Sequence, residues 1–301
     1  MNIKKILFVG LSCIGDAVMT IPVLLSLHDK YPDASFDIIA DKRSMDLYST
    51  FPYLNNLYLK DKDKFFRGVP DLLHRLWKNY YDVIVDVRTD GLAYLLRGRN
   101  KYTKWSGKDY GPHAVEKIMG VIYKIHKNEK IPLTKLWLLN EHYKYAEDSL
   151  SVFTQGNVLS VCVGSDQRAQ KSWPTEKFIE LFERHKNDFT GLVFLGGEID
   201  RNRTEEICSK TTMPYINIIG SNLLQGAAVL ERCKIYIGAD SGLGHVANAV
   251  GTNTIILFSN DIPERCLPWG DKSRGIVGSN QDARNIRVET VSEEIRKILD
   301  E

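Results

Sequence analysis

Short apolar runs punctuated by turn residues recur along the whole chain, with helical patterns filling the intervals. In the first half these runs predict strands at residues 6–9, 36–40, 56–59 and 83–88. Helices are expected from the first glycine-rich turn to about residue 31, at 44–50 and at 70–79. The run VIVDVR at 83–88 is the pattern of a central parallel strand covered on both faces. Such alternation implies an α/β, doubly wound sheet. A helix over 137–153 and the polar stretch 154–157 then read as a bridge, and strands at 158–163, 192–195, 215–219, 235–237 and 254–258 build a second sheet. The expected domains are 1–153 and 154–301, with the last helix free to pack back on the first domain.

Two places in this pattern carry chemistry. In KIYIGADSGLGHVANAVG, residues 234–251, a buried strand stops at Asp240 and opens directly into a glycine-spaced helix near Gly242. Asp240, Ser241, Gly242 and Gly244 supply turn and N-cap chemistry. The helix's first N–H groups would face an anion lying over the carboxyl edge of the strand, and His245, one turn in, would add a donor. Capping by Asp240 and Ser241, with a structural histidine, is the plainer alternative. The second place is at residues 6–31, where a strand again runs through glycines into a helix. Gly10 and Gly15 are not spaced as GxGxxG, and no Lys-Ser or Lys-Thr follows as in a P-loop, so two familiar nucleotide motifs are excluded. Gly15 and Asp16 instead put a carboxylate at a helix N-terminus, where it stays ionised and available as a proton acceptor.

Composition narrows the setting. With 301 residues and 43% apolar content the chain can build two domains, each with its own core. Forty Lys and Arg against 38 Asp and Glu leave a formal charge of +2, too small for general nucleic-acid binding. Five scattered cysteines (13, 162, 208, 233 and 266) form no C-x-x-C pair, which argues against a disulfide framework or zinc site and suits a reducing cytosol. Lys4 and Lys5 before an apolar run faintly imitate a leader, but the run breaks after Leu11 and is expected to be the first strand. No apolar window approaches a membrane span, so membrane contact is expected to be peripheral only.

Together with KSWPTEKF at 171–178, the two segments resemble the family 9 glycosyltransferases, the ADP-heptose:lipopolysaccharide heptosyltransferases. Ser12, Gly15, Asp16 and Pro22 match the S-x-x-G-D-x-x-x-x-x-P opening of that family. Lys171, Trp173 and Pro174 match its K-x-W-P stretch, and Asp240, Ser241, Gly242 and His245 its D-[ST]-G-x-x-H signature. HAVEK, at 113–117, is a weaker echo of H-A-V-E-[RK]. The resemblance implies a GT-B fold, two Rossmann-like domains facing across a cleft, the first binding the acceptor and the second the nucleotide sugar. It further implies heptose transfer with inversion from ADP-heptose to the inner core of lipopolysaccharide, at the cytoplasmic face of the inner membrane.

On that reading Asp16 is the general base, and Lys171 is a point charge on the departing diphosphate. Ser165 and the helix end at Asp240, Ser241, Gly242 and His245 hold the donor, with Glu198 and Asp200 as candidates for the ribose hydroxyls by the habit of acids at strand ends, solvated loop acids being the plainer alternative. Asp166, Gln167 and Arg168 depart from many relatives. An apolar slot for the base would lie near residues 218–222. Ser12, Gly15, Arg88 and His113 are assigned to the acceptor. A basic series, Lys60, Lys62, Lys64, Arg67, Arg97, Arg99, Lys101 and Lys104, interleaved near its end with Tyr102 and Trp105, suits a phosphorylated sugar on a lipid head. Asp61 and Asp63 formally make a D-x-D metal motif but sit in a lysine-rich stretch of the acceptor half, so no metal and no cofactor are expected. Alternatives are a different nucleotide sugar or core acceptor, a nucleotide-sugar epimerase of the same fold, and a non-catalytic nucleotide-binding relative.

Overall fold

The computed structural model describes residues 3–60, 68–88, 91–127, 130–164, 170–259 and 262–301. The chain divides into two compact units, Met1–Trp137 and Leu138–Glu301.

In the first unit β1 (Lys5–Val9) leads into α1 (Ile14–Met19) and α2 (Ile21–Lys30). There follow β2 (Ser35–Ala40), α3 (Met45–Ser49), β3 (Leu54–Leu59), α4 (Gly68–Leu76), β4 (Tyr81–Asp86), α5 (Leu92–Leu95), β5 (Gly98–Thr103) and α6 (Ala114–Met119). The strands are parallel in the order β3-β2-β1-β4-β5. Strand order reverses between β1 and β4, and the connections leaving their carboxyl ends diverge there to open a crevice. The single helix expected up to residue 31 is two. Pro22, second in α2, has no N–H to continue the ladder. Thr20 closes α1 by bonding Ala17 O through both its N–H, at 3.0 Å, and its hydroxyl, at 2.7 Å.

In the second unit the order is α7 (Asn140–Leu150), β6 (Val158–Cys162), α8 (Thr175–Arg184), β7 (Gly191–Phe194), α9 (Arg201–Lys210), β8 (Tyr215–Asn217) and α10 (Leu223–Glu231). Then come β9 (Ile235–Ala239), α11 (Gly242–Ala249), β10 (Asn253–Phe258), α12 (Pro263–Cys266), β11 (Ser273–Val277) and α13 (Val288–Leu299). This sheet is also parallel, ordered β11-β10-β9-β6-β7-β8, with its reversal between β6 and β9. The helix expected from 137 begins only at Asn140, after an extended Leu139 whose N–H is accepted by His142 Nδ1 at 3.0 Å. Helix α7 packs on α10 and groups with the second unit. Val291, Ile295 and Ile298 turn the apolar stripe of α13 into the core shared with Phe178 and Leu181 of α8.

Trp173 anchors that core. It is 1% exposed, meets Phe178 edge-on at 4.9 Å, and donates its indole N–H to Ile286 O at 3.0 Å. The tryptophan of the KSWP stretch is therefore a structural post two residues from Lys171. Trp173→Ala should cost about 3–5 kcal/mol by removing a fully buried aromatic, and urea unfolding of the purified protein checks it; a loss under about 1 kcal/mol would contradict the anchoring role.

Candidate active site

In the first unit the turn after β1 is fixed by its surroundings. Ser44 donates its hydroxyl to Leu11 O at 2.8 Å. Cys13 is the N-cap of α1, so Ser12 lies just outside the helix, Gly15 is buried within it, and Asp16 falls in its first turn. Asp16 keeps exposed surface, yet its carboxyl is hemmed in by protein. Loss of solvation raises its pKa above the ordinary 3.8, opposed by a hydrogen bond from Cys13. Below it the fully buried Tyr48 phenol pairs with the Thr20 hydroxyl at 2.9 Å. Burial and, to a lesser degree, the Asp16 charge push that phenol far above its usual range, so it stays neutral.

Helix α6 packs on α1 and α2. Its N-cap is His113, whose Nδ1 accepts the Val115 N–H at 3.1 Å while Glu116 Oε2 accepts the His113 N–H at 2.9 Å. HAVEK is thus a capping box. With Nδ1 committed as an acceptor, the neutral ring carries its proton on Nε2. Arg88 lies two residues beyond β4, its N–H held by Asp86 Oδ1 at 2.9 Å. Asp86, fully buried, also takes the Ala93 N–H at 3.4 Å. Beside these elements is a cavity of about 450 Å³, walled by Val87, Trp105, Ile118 and Val121 and rimmed by Lys104, Lys108 and Lys117 with one acid, Asp109.

In the second unit the connections after β6 and after β9 meet at the switch point. Lys171 Nζ lies 3.6 Å from Asp240 Oδ2, joining residues 69 positions apart from two of the recognised motifs. Gly164, directly after the β6 stem, has φ +73, a left-handed conformation that glycine adopts without a Cβ clash. Ser241 is the N-cap of α11 but makes no side-chain cap. Its hydroxyl turns inward, buried against the Tyr236 phenol. The first N–H groups of α11, from Gly242 onward, consequently receive no capping oxygen from Ser241. His245 is buried in the second turn of α11. Glu198 is exposed and grips Arg201 with both oxygens at 2.7 Å, which lowers its pKa. Asp200 is turned inward to accept the Gly197 N–H at 2.9 Å, and burial raises its pKa. In the stretch expected to hold a base, Asn222 caps α10 by accepting the Leu224 N–H at 2.9 Å. Ser165, Asp61, Lys62, Asp63, Lys64, Arg67, Asp166, Gln167 and Arg168 lie outside the described residues.

The residue that sequence reasoning missed is Arg203. It is 6% exposed, and its guanidinium donates to Val163 O at 2.5 Å and to Trp173 O. Those carbonyls stand at the two stems of the connection that carries Lys171, so one buried cation ties both ends of that connection to α9. A planar fork of five donors suits this better than a lysine's point charge. Within the charge-rich helix RNRTEE nothing marks Arg203 as buried except its place on the face shared with Ile207.

The family model described as glycosyltransferase family 9 (heptosyltransferase) matches residues 90–295. The chain belongs to glycosyltransferase family 9. It is 23% identical over 290 residues to the lipopolysaccharide core heptosyltransferase OpsX of Haemophilus influenzae, covering 89% of this chain and 82% of OpsX. Among solved structures, a family 9 glycosyl transferase from Veillonella parvula superposes with TM-score 0.89 at 19% identity, covering 99% of this chain and 98% of that one. The E. coli ADP-heptose lipopolysaccharide heptosyltransferase II does so with TM-score 0.81 at 21% identity, covering 98% of each. The fold is GT-B, and the enzyme is a glycosyltransferase, which sets aside the epimerase and non-catalytic alternatives. Among the described residues no helix is long and apolar enough to cross a membrane.

Arg203→Met should leave Val163 O and Trp173 O unsatisfied at a cost of about 2–4 kcal/mol, read by urea unfolding. Arg203→Lys should recover only part of it, and full recovery by lysine would show that the fork geometry is unimportant.

Proposed function

We propose that the enzyme transfers heptose from ADP-heptose to the inner core of lipopolysaccharide with inversion. The observation that carries this reading is the Lys171–Asp240 pair beside the N-terminus of α11 at the switch point of the second sheet, in a chain whose relatives carry heptosyltransferase names. Asp16 removes the proton from an acceptor hydroxyl as its oxygen attacks the anomeric carbon. The bond from that carbon to the diphosphate oxygen breaks, and ADP departs with its new charge facing Lys171 and the first N–H groups of α11. Asp240 lies against the Lys171 ammonium at the mouth of the donor site. The charge that a divalent metal would supply elsewhere comes from Lys171 and the helix end. His113 Nε2–H, Arg88 and Ser12, with Gly15 keeping the turn tight, serve the acceptor. The lysine-rimmed cavity beside α6 suits an anionic sugar. Transfer from another nucleotide sugar, or to another core position, remains the second reading, because the donor-sugar pocket is set by loops rather than by these motifs.

The test is ADP release from ADP-heptose with and without a heptose-deficient lipopolysaccharide acceptor, in EDTA. Acceptor-dependent release should fall about a hundred- to ten-thousand-fold in Asp16→Asn and should also fall sharply in Lys171→Ala. Unchanged turnover in Asp16→Asn would discard the mechanism, and turnover only with other sugars would support the second reading.

The raised Asp16 pKa also fixes a pH dependence. A base works only when deprotonated, so kcat/KM should fall as pH drops through a value above 3.8. A pH–rate profile in which Asp16→Asn keeps the same acid limb would assign that limb to another group.

A further inference from the structure

One surface of the first unit meets this chemistry only at its edge, where Trp105 walls the cavity beside α6. Trp77, Tyr94, Leu95 and Trp105 are between 52% and 65% exposed, and they form one connected patch. The Trp77 indole N–H donates to Leu95 O at 2.9 Å, and the Tyr94 and Trp105 rings stack at 5.9 Å with planes 16° apart. Tyr80, 56% exposed, follows closely in the chain after Trp77. Large aromatics held open to solvent by specific contacts are unusual in a soluble unit and mark an interaction surface.

Charge decides what that surface fits. Residues 74–81 and 94–105, which supply the patch, contain Arg75, Lys78, Arg97, Arg99, Lys101 and Lys104 and not one Asp or Glu, although the whole chain carries a formal charge of only +2. Arg75 lies over the Tyr58 ring and Lys101 Nζ bonds Leu96 O at 2.8 Å, while Lys78, Arg97, Arg99 and Lys104 are exposed. Charges alone would be ordinary protection of β5, an edge strand. Protein interfaces deplete charge around their apolar centre, whereas Trp and Tyr interleaved with Lys and Arg match the headgroup region of a bilayer.

We propose that this patch, built from the end of α4, α5, β5 and Trp105, docks the enzyme on an anionic lipid surface, with Trp77, Tyr94, Leu95 and Trp105 entering the headgroup layer and Lys78, Arg97 and Arg99 facing lipid phosphates. The docking does not depend on which sugar is transferred. Trp105 and Lys104 also border the cavity beside α6, so a lipid-borne acceptor would arrive at its rim.

The experiment is co-sedimentation of the full chain with vesicles of phosphatidylcholine alone or with about a third phosphatidylglycerol, combined with tryptophan quenching by brominated lipids. The protein should bind the anionic vesicles, lose that binding in 0.5 M salt, and be quenched by bromolipid. Binding should weaken about tenfold in Trp77→Ser/Leu95→Ser and similarly in Arg97→Glu/Arg99→Glu, with melting temperature reporting that each variant is folded. The second variant keeps the test alive if the first fails to fold. Failure of the native chain to sediment, equal binding to neutral vesicles, or native-like binding by folded variants would each overturn the proposal.

Discussion

Every strand paired within each sheet runs parallel to its neighbour, and that constraint organises the rest of the molecule. Parallel strands need crossover helices, so every strand-to-helix connection leaves from the same edge of its sheet. Only where strand order reverses do two such connections separate enough to receive a ligand. In the first unit the reversal falls between β1 and β4, and Asp16 and Arg88 follow those strands. In the second it falls between β6 and β9, and the Lys171 and Asp240 connections follow those. Motifs scattered over 230 residues are thus gathered by topology to two places.

Gathering is not yet rigidity. A connection that carries a cation needs fixed stems, and in the second unit these are held from below by buried polar groups. Arg203 bonds the carbonyls of Val163 and Trp173, and the Trp173 indole is tied to Ile286 O. Burying a guanidinium is costly unless its donors are satisfied. The carbonyls of Val163 and Trp173 lie outside the strand and helix ladders and are therefore open to a side-chain donor. The same arrangement puts positive charge beneath the edge where a diphosphate is proposed to leave.

The motif residues and most strands were legible because short, β-branched runs ending in glycine and acidic residues reflect local physics. What was not legible is long-range or disguised. β5, GRNKYT, has no apolar alternation, and as an edge strand paired only with β4 it needs none. β11, SRGIV, occupies the edge of the second sheet in the same way. Pro22 was visible, but the break it makes at Thr20 depends on a side-chain bond to Ala17 O. Arg203 read as one more surface charge, since only the fold brings its carbonyl partners, 30 and 40 residues away, to one point.

The pair between Lys171 and Asp240 also resolves an apparent conflict, since a carboxylate beside a leaving diphosphate should repel it. Both side chains are partly solvated, 30% and 19% exposed, and an ion pair so placed contributes only about 0–1 kcal/mol. A hydrogen bond to a charged phosphate oxygen contributes about 1.5–3 kcal/mol. On the proposed mechanism Lys171 would turn part of its charge to an arriving diphosphate with little loss, while the nearby Asp240 carboxylate keeps the ammonium at this end of the site. Without Asp240 a lysine on a long flexible stem would sample many positions, and on the proposed mechanism its charge would be spread over the site instead of held near the departing group.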